Sequence, residues 1–392
     1  MHSDYLINIA GIFESQMMTR DSLFLLTVFI ILDLSALIQL FYYIYYYLPV
    51  WFHKHPDAPS GKSPVSVIIC ARNEEENLRN NLPSVLEQDY PDYEVIVVND
   101  CSEDNSFDVL GNFLTRYPHL RISTVNKDPK FTHNKKFAQF IGIKAAKNDF
   151  LLFTDADCQP ESDRWLAGMT SHLDDRTDFV LGYGGYHKKE GLLNKYIRYD
   201  SMIIAMQYFG MAIRRNPYMG VGRNLAYKRS LFFQNKGYGA YNHMISGDDD
   251  LFVNTKASGK NTCVEYRHGM HTRSVPAADI PAWFAQKKRH LTTARYYKSG
   301  DKVLLLLEPA SRMLFCISTI ILLLHSYLWP VVAGIFGLRL LTQVVVFTLT
   351  AKKLNEKGLV VFSLFFDIFS PLLNVIVYVS NILNRSGRNQ WK

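Results

Sequence analysis

Apolar and polar positions divide this chain into two apolar blocks around a more polar middle. In the first block, residues 22–48, Asp33 is the only acidic or basic residue. The block exceeds the about 20 residues that a helix needs to cross a bilayer, which predicts a membrane-spanning helix at 22–48 after an N-terminal tail at 1–21. Its length and the acids before it argue against a cleavable signal peptide. An interfacial aromatic belt is predicted at its end. The belt consists of Tyr42, Tyr43, Tyr45, Tyr46, Tyr47 and Trp51.

The second apolar block, residues 311–383, predicts a C-terminal membrane region of two or three helices before a basic tail at 384–392. Basic residues follow the first helix and also interrupt the second block near Lys352. Because basic loops favour the cytoplasmic side, we predict an integral protein of the cell (inner) membrane with a cytoplasmic polar middle. Three C-terminal crossings would leave the basic tail outside, so the last segment, with Asp367, is the candidate for an interfacial or re-entrant one.

The polar middle, residues 61–280, alternates short β-branched runs with helical patterns. This alternation predicts a single α/β domain with a parallel sheet and right-handed crossovers. The predicted strands are 65–70, 95–98, 120–125 and 150–153, and the predicted helices are 74–88, 104–115 and 135–146.

Composition narrows the function classes only slightly. The chain is 48% hydrophobic and 20% charged, which excludes disordered and collagen-like classes. Its net charge of +7 and its 14% aromatic content fit a membrane surface or phosphorylated ligands. Five scattered cysteines without a CxxC pair suggest neither a zinc site nor a disulfide framework. We therefore expect reduced thiols.

Acidic residues follow the ends of the predicted strands, where parallel sheets bind ligands. Asp155 and Asp157 come directly after the fourth strand, and such a pair typically holds Mg²⁺ or Mn²⁺ while leaving room for phosphate oxygens. The alternative is that one aspartate caps a helix and the other is solvated.

A second acidic cluster lies about ninety residues further on. Asp248, Asp249 and Asp250 are adjacent, so they raise one another's pKa and offer a general base near neutral pH. The alternative is that they only cap the helix that follows. Lys135 and Lys136 open a predicted helix, where they would either meet a phosphate or form a solvated basic face.

The ordered motifs of the middle resemble those of a membrane-bound family 2 glycosyltransferase with a GT-A catalytic domain, related to cellulose, hyaluronan and chitin synthases. The resemblance spans about residues 66–290. It implies a Rossmann-like nucleotide-diphospho-sugar transferase fold together with transmembrane α-helices. The motifs are SVIICARNEEENL, VVND, HNKK, TDAD, GVGRN, SGDDDL and QKKRH.

The resemblance also implies roles for the matching residues. Asp157, with Asp155, would bind Mn²⁺ or Mg²⁺. Asp248 would be the general base, with Asp249 as its rival because Gly247 stands where the family often has an acid. The implied nucleotide-sugar contacts are Ala71, Asn73, Glu74, Asp100, Lys135, Lys136 and Asp155. The implied acceptor or diphosphate contacts are Gly222, Asn224, Gln286, Arg289 and His290.

The segment at 281–302 adds a departure from the family pattern. Gln286 and Arg289 match the QxxRW motif of polymerising members, but His290 stands in place of the tryptophan, which counts against processive synthesis. The segment's basic and aromatic residues predict an interfacial amphipathic helix, the alternative being an ordinary surface helix. His268 and His271, without acids or cysteines at ligand spacing, are expected to be surface histidines.

These observations predict a metal-dependent enzyme, an inverting glycosyltransferase that moves a sugar from a nucleotide-diphosphate sugar to a lipid-linked or glycan acceptor at the cytoplasmic membrane face. The resemblance favours a UDP-sugar. Membrane lipids are the other expected partner, and nucleic acid is not expected. The alternatives are a processive polysaccharide synthase and, ranked lower, a non-catalytic membrane scaffold or sensor that binds a nucleotide sugar.

Overall fold

The computed structural model describes most of the chain, with side chains from residue 20 onwards. The described residues are 2–55, 63–126, 134–174, 176–234, 237–239 and 247–383. The predicted basic tail at 384–392 lies outside them.

The first apolar block is part of one long helical segment. Helix α1 (His2–Phe41) continues through a π-helical turn (Tyr42–Tyr47) into α2 (Leu48–Phe52). The predicted membrane helix lies within this segment. Residues 2–21, expected as a separate tail, belong to the same helix.

The aromatic belt prediction was wrong for four of its tyrosines. Tyr42, Tyr43, Tyr46 and Tyr47 are buried in the protein, while Tyr45 is exposed. The hydroxyl of Tyr42 donates to the carbonyl of Leu304 at 2.6 Å. A π-helical turn changes the angular spacing of side chains, so these rings face neighbouring helices and not the lipid headgroups.

The soluble domain is built on a seven-stranded sheet in the order β3-β2-β1-β4-β8-β6-β9. A three-stranded sheet, β5-β10-β7, lies beside it. The strands are β1 (Val65–Ala71), β2 (Tyr93–Asp100), β3 (Leu120–Val125), β4 (Phe150–Asp155), β5 (Cys158–Pro160), β6 (Phe179–Gly182), β7 (Gly184–Tyr186), β8 (Leu225–Lys228), β9 (Thr262–Glu265) and β10 (Thr272–Ser274).

The predicted parallel core is confirmed for β1 to β4, which pair in parallel. All seven residues of β1 are buried, as expected for a central strand covered on both faces. The sheet is nevertheless mixed, because β8 runs antiparallel to β4 and β6. The chain enters β8 from a short 3-10 turn and not from a crossover helix, so the parallel direction is not imposed there.

Helices pack around these sheets. They are α3 (Glu75–Leu86), α4 (Ser106–Leu114), α5 (Lys135–Ala145), α6 (Trp165–Thr170), α7 (Leu192–Ile213), α8 (Arg229–Gln234), α9 (Asp250–Lys256) and α10 (Ile280–His290). The side chain of Asn134 caps α5 by accepting from the amide of Phe137 at 3.0 Å, which fixes where that helix begins.

The predicted amphipathic helix at 281–302 is not one helix. Helix α10 ends at His290, a 3-10 turn follows at Ala294–Tyr296, and the next helix begins at Ser299. The break lets Thr293 and Tyr297 donate hydrogen bonds to the buried carboxylate of Asp250. Contacts with the α/β domain therefore override the continuous helical pattern.

The C-terminal membrane region contains three helices, α11 (Ser299–Leu324), α12 (Trp329–Lys353) and α13 (Val360–Leu383). Each is long and apolar enough to cross a membrane, as is the segment Arg20–Phe52. The last helix, which was the candidate for an interfacial segment, is also long and apolar enough to cross.

A buried ionic cluster links these three helices. Arg312 of α11 contacts Glu308 at 2.7 Å and Asp367 of α13 at 2.9 Å. Arg339 of α12 lies 2.5 Å from the other oxygen of Asp367 and also donates to Gln39 of α1 at 3.1 Å. Two arginines face two carboxylates, so the cluster is balanced in charge. Ionisable groups in membrane helices usually pair in this way.

Candidate active site

Three neighbouring strands deliver the first predicted site residues to one edge of the sheet. Ala71 pairs with Asn99 at the ends of β1 and β2, and Cys70 pairs with Asp155 at the end of β4. Ala71 and Asp100 are completely buried, whereas Asp155 is partly exposed. The edge therefore has a closed floor with one accessible carboxylate.

The loops after β1 and β2 form a single rim at this edge. Asn73 adopts a left-handed backbone conformation with φ of 54°. Its amide donates to the hydroxyl of Ser102 at 3.0 Å, and its side-chain oxygen accepts from the amide of Glu103 at 2.8 Å. The amide of Glu74 donates to the hydroxyl of Ser106 at 3.0 Å. These cross-links place the predicted nucleotide contacts on a fixed rim.

Lys135 joins the two acidic clusters, which are about ninety residues apart in sequence. Its ammonium lies 2.6 Å from Asp155 and 3.7 Å from Asp248. Burial alone would lower the pKa of Lys135, but Asp155 and Asp248 outweigh burial and raise it well above its ordinary value. In turn Lys135 outweighs burial at Asp155 and holds the pKa of that carboxyl below its ordinary value. A permanent cation thus stands between the clusters.

Lys136 occupies a different environment from Lys135. It is 1% exposed, so it lies inside the protein and not on the cleft surface. Burial lowers its pKa to about 8, although Asp248 and its neighbours partly oppose this effect. The sequence does not distinguish the two lysines as diphosphate contacts, whereas the structure exposes Lys135 to the cleft more than Lys136.

The three adjacent aspartates are held differently. Asp250 is buried and accepts from Thr293, from Tyr297 at 2.7 Å and from the amide of Leu251 at 2.8 Å. Asp249 accepts from the amide of Gly222 at 2.6 Å and from the amide of Asp250 at 2.8 Å. One buried oxygen of Asp248 has no hydrogen-bond partner among the described residues. The cluster therefore does more than cap α9.

Asp249 has an acidity suited to proton transfer. Burial and then the charges of Asp248 and Asp250 raise its pKa to about 7. A carboxyl with such a pKa is ionised in half of the molecules near neutral pH and accepts a proton readily. Its partial exposure also leaves it open to a substrate.

Asp155 and Asp157 fit a divalent cation. Ligand atoms of Asp155, Asp157 and Cys158 lie within 4.8 Å of one another. Burial raises the pKa of the Cys158 thiol well above its ordinary value, so the available ligands are the two carboxylates. Carboxylate oxygens are the ligands that Mg²⁺ and Mn²⁺ prefer. The donor set therefore agrees with the metal predicted from sequence.

The glycine-rich loop supplies one contact and one internal support. A side chain at Gly222 would bring its Cβ to 3.1 Å from Asp249, so this position favours glycine. Asn224 is completely buried, and its amide nitrogen donates to the carbonyls of Tyr183 and Met270 at 3.0 and 2.9 Å. Its oxygen accepts from the indole of Trp165 at 3.0 Å. These internal bonds occupy Asn224, which supports the loop from below and does not contact a ligand as predicted.

Arg223 is a site residue that the sequence interpretation missed, although it lies inside the GVGRN motif. Its guanidinium stacks 4.2 Å from the ring centre of Tyr186. Burial lowers the pKa of Arg223, but nearby groups, including Tyr186, Asp157 and Asp155, together raise it above its ordinary value. The flanking Gly222 and Asn224 drew attention as loop formers, while the arginine between them carries the charge.

Helix α10 brings part of the QKKRH motif towards Arg223. Gln286 donates to the hydroxyl of Tyr186 at 3.2 Å. Burial raises the pKa of Asp155, while Lys135, then Arg223 and then Arg289 lower it. His290 is exposed at the end of the helix. Trp283 is buried against Tyr196 at 5.4 Å between ring centres, so it packs in the core.

The surface assignment of His271 was wrong. His271 is completely buried. Its Nε2 lies 2.9 Å from the carbonyl of Tyr266, and its Nδ1 lies 3.3 Å from Glu161. The acid that holds it is distant in sequence, so local spacing gave no sign of it. None of the five cysteines, all of which lie within the described residues, forms a disulfide.

Fold and site together define a class of protein. An α/β domain with carboxylates at its strand ends, a bridging lysine and attached membrane helices is typical of a membrane enzyme that transfers a group from a nucleotide.

Comparison with known proteins makes this class specific. The model of glycosyl transferase family 2 matches residues 66–234. A probable glycosyltransferase of Bacillus subtilis, YdaM, is 26% identical over 240 residues, covering 59% of this chain and 52% of the relative. Glycosyltransferase AglE of Haloferax volcanii is 32% identical over 189 residues, covering 47% and 58%. The chain thus matches a little over half the length of these relatives.

A solved structure extends the likeness to the membrane region. A mannosyltransferase from Pyrobaculum calidifontis, in complex with GDP-Man and Mn²⁺, superposes with a TM-score of 0.61 at 18% identity. The match covers 92% of this chain and 100% of that one. Residues 66–234 therefore match glycosyl transferase family 2, and the chain has a GT-A fold.

Proposed function

We propose that this protein transfers a sugar, with inversion at the anomeric carbon, from a nucleoside-diphosphate sugar to a lipid-linked or glycan acceptor at the cytoplasmic face of the cell membrane. The observation that carries the proposal is the position of Lys135, 2.6 Å from Asp155 and 3.7 Å from Asp248. One cation is thereby shared between the predicted diphosphate site and the predicted base.

The donor nucleotide would lie on the rim formed by the loops after β1 and β2. Ala71 and Asp100 would form its floor, with Asn73 and Glu74 at its edge. The GDP-Man complex of the structurally similar mannosyltransferase supports a nucleotide sugar in this fold. The family resemblance favours uridine as the base of the nucleotide.

Asp155 and Asp157 would hold a divalent ion, either Mn²⁺ or Mg²⁺. When bound, such an ion supplies positive charge that offsets the charge of a leaving diphosphate. The two carboxylates and the Mn²⁺ in the similar mannosyltransferase support this assignment.

We assign the general base to Asp249, which the sequence ranks second to Asp248. The pKa of Asp249 is raised to about 7, and each of its oxygens keeps a lone pair beyond the amide that it binds. Asp248 instead forms an ion pair with Lys135 at 3.7 Å.

The transfer step then follows from these positions. Asp249 takes the proton from the acceptor hydroxyl, whose oxygen forms a bond to the anomeric carbon. The bond from that carbon to the diphosphate oxygen breaks, and the diphosphate leaves with the electron pair. Lys135, Arg223 and Arg289 would stabilise the charge that develops on it, and such electrostatic stabilisation is usually the largest contribution to catalysis.

The membrane location is supported by four segments within the described residues that are long and apolar enough to span a membrane. The basic residues near Lys352 favour a cytoplasmic loop on the side of the catalytic domain. This arrangement would place the active site beside a lipid-borne acceptor.

A donor screen tests the proposal. Full-length protein in washed membranes is incubated with radiolabelled nucleotide sugars, and both label in the lipid phase and released nucleoside diphosphate are measured. We expect one donor to support both signals, and Asp157→Ala to abolish them while Asp108→Asn, an exposed acid on α4, retains them. Full transfer by a folded Asp157→Ala protein would show that the metal assignment is wrong. Binding without nucleotide release would instead indicate the scaffold alternative.

A further inference from the structure

The loop between the last two membrane helices inserts a buried acid into the catalytic domain. Glu356, in this loop, is 2% exposed. It accepts from Arg198 of α7 at 2.9 Å and from the hydroxyl of Tyr183 at 2.9 Å. Because a buried carboxylate is stable only when its oxygens are paired, these contacts fix the loop to the domain.

A second arginine continues this contact into β10. Arg273 donates to Glu356, to Glu161 at 2.6 Å and to the carbonyl of Leu354 at 3.0 Å. A Cβ at Gly185 would lie 2.2 Å from this guanidinium, so a larger residue there would displace it. Arg273 is therefore held jointly by the catalytic domain and the membrane loop.

The residue after Arg273 contacts the predicted metal ligand. Ser274 donates its hydroxyl to Asp157 at 2.8 Å. Antiparallel pairing of β10 with β5 sets Ser274 opposite Cys158, which places it beside Asp157. Adjacent residues of a strand point to opposite faces. Arg273 thus reaches the membrane loop while Ser274 reaches Asp157.

We propose that Glu356 is a positioning residue for the donor site. Through Arg273 and Ser274 it holds the Asp157 carboxylate in the orientation that receives the divalent ion and the diphosphate. The inference rests on the proposed function, because it assumes the metal site at Asp155 and Asp157. It adds that the contact of this membrane loop with Arg273 contributes to the metal affinity of that site.

Metal binding without turnover tests this role. Purified full-length protein is titrated with Mn²⁺, and free Mn²⁺ is followed by electron paramagnetic resonance in the absence of donor. Loss of a group that orients a metal ligand typically weakens binding by about 10–100-fold. We expect Glu356→Gln and Ser274→Ala each to weaken Mn²⁺ binding about tenfold. Thermal unfolding of each variant is measured alongside.

Arg198→Met provides the matched control. It removes the other arginine from Glu356 and loosens the same loop, but it leaves the path through Arg273 to Asp157 in place. We expect this variant to lose thermal stability and yet bind Mn²⁺ within about twofold of the unaltered protein, well below the change expected for an orienting group.

The possible results separate the two hypotheses. Unchanged Mn²⁺ affinity in Glu356→Gln, with weakened binding in Ser274→Ala, would overturn the positioning role alone. Equal weakening in all three variants would show that Glu356 acts only through general stability. If the unaltered protein binds no Mn²⁺, the proposed metal site fails and this inference fails with it. Nucleotide release in the presence of a chelator would then show whether sugar transfer itself survives.

Discussion

Two clusters of buried charge in this protein differ in their balance of positive and negative groups. In the membrane region, Arg312 and Arg339 face Glu308 and Asp367, so positive and negative charges are equal in number. At the active site, Lys135 pairs with Asp248, the first of three consecutive aspartates, and the charges of all three act on the buried Lys136. The first cluster is balanced, and the second carries an excess of negative charge.

The difference shows how burial can serve either structure or chemistry. Paired charges in the membrane helices satisfy one another and fix how the helices pack. In the acidic cluster, burial and then the charges of Asp248 and Asp250 raise the pKa of Asp249 to about 7, so proton uptake relieves part of the excess charge. A group that is held close to its titration point is available to move protons.

The largest effect is expected from removing the unbalanced charge that does the chemistry. Asp249→Asn keeps the size of the side chain but removes the base, so transfer should fall by about 10²–10⁴-fold. Asp248→Asn should cost less, because Asp248 pairs with Lys135 and Asp249 is the proposed base. Initial rates with the best donor from the screen measure both. A greater loss in Asp248→Asn would return the base to Asp248.

Breaking the balanced cluster should destabilise the membrane region without directly affecting the aspartates of the active site. Asp367→Leu leaves two buried arginines facing a single carboxylate, and removing one partner of a buried pair typically costs about 3–5 kcal/mol. Thermal unfolding in detergent should show this loss. Leu372→Ala, an exposed apolar position on the same helix, is the control and should unfold near the normal temperature. Equal stability of Asp367→Leu and the control would mean that the cluster contributes little.

The sequence predicts the strands and the acids that follow them better than it predicts which buried charges pair. Apolar runs are local signals, so β1 to β4 and the acids Asp155 and Asp157 follow from short stretches of sequence. The pairing of Lys135 with Asp248, or of Arg312 with Asp367, joins residues far apart in the chain. No local pattern reports such contacts, because they depend on how the elements pack.

The same limit explains the particular errors. Tyr42 and Tyr43 match the pattern of interfacial aromatics, but Tyr42 donates to Leu304 of α11 and Tyr43 packs against Phe347 of α12. His271 has the local sequence of a surface residue, but the fold buries it beside Glu161. The sequence does not point to Arg223, because the glycine and asparagine beside it carry the recognisable loop signal, while its stacking on Tyr186 appears only in three dimensions.

A pH profile sharpens the assignment of the unbalanced cluster. The base must be ionised to accept a proton, so a pKa of about 7 at Asp249 predicts that the rate increases about tenfold per pH unit below pH 7 and levels off above it. The rate with saturating donor is measured between pH 5 and 9. A rate that is flat down to pH 5 would point to a base with an ordinary carboxyl pKa.

The smallest expected effect is a gain in stability when the same charge is removed. The pKa of Asp249 is higher in the folded protein than in the unfolded chain, so the folded protein binds more protons between the two values and loses stability as pH rises through this range. At pH 8 Asp249→Asn avoids burying that charge, and its unfolding temperature should exceed the normal one by roughly 3 °C. At pH 3, where the aspartate is protonated in both states, the difference should vanish. An equal increase in unfolding temperature at both pH values would mean that the gain in stability comes from packing and not from removal of the excess negative charge.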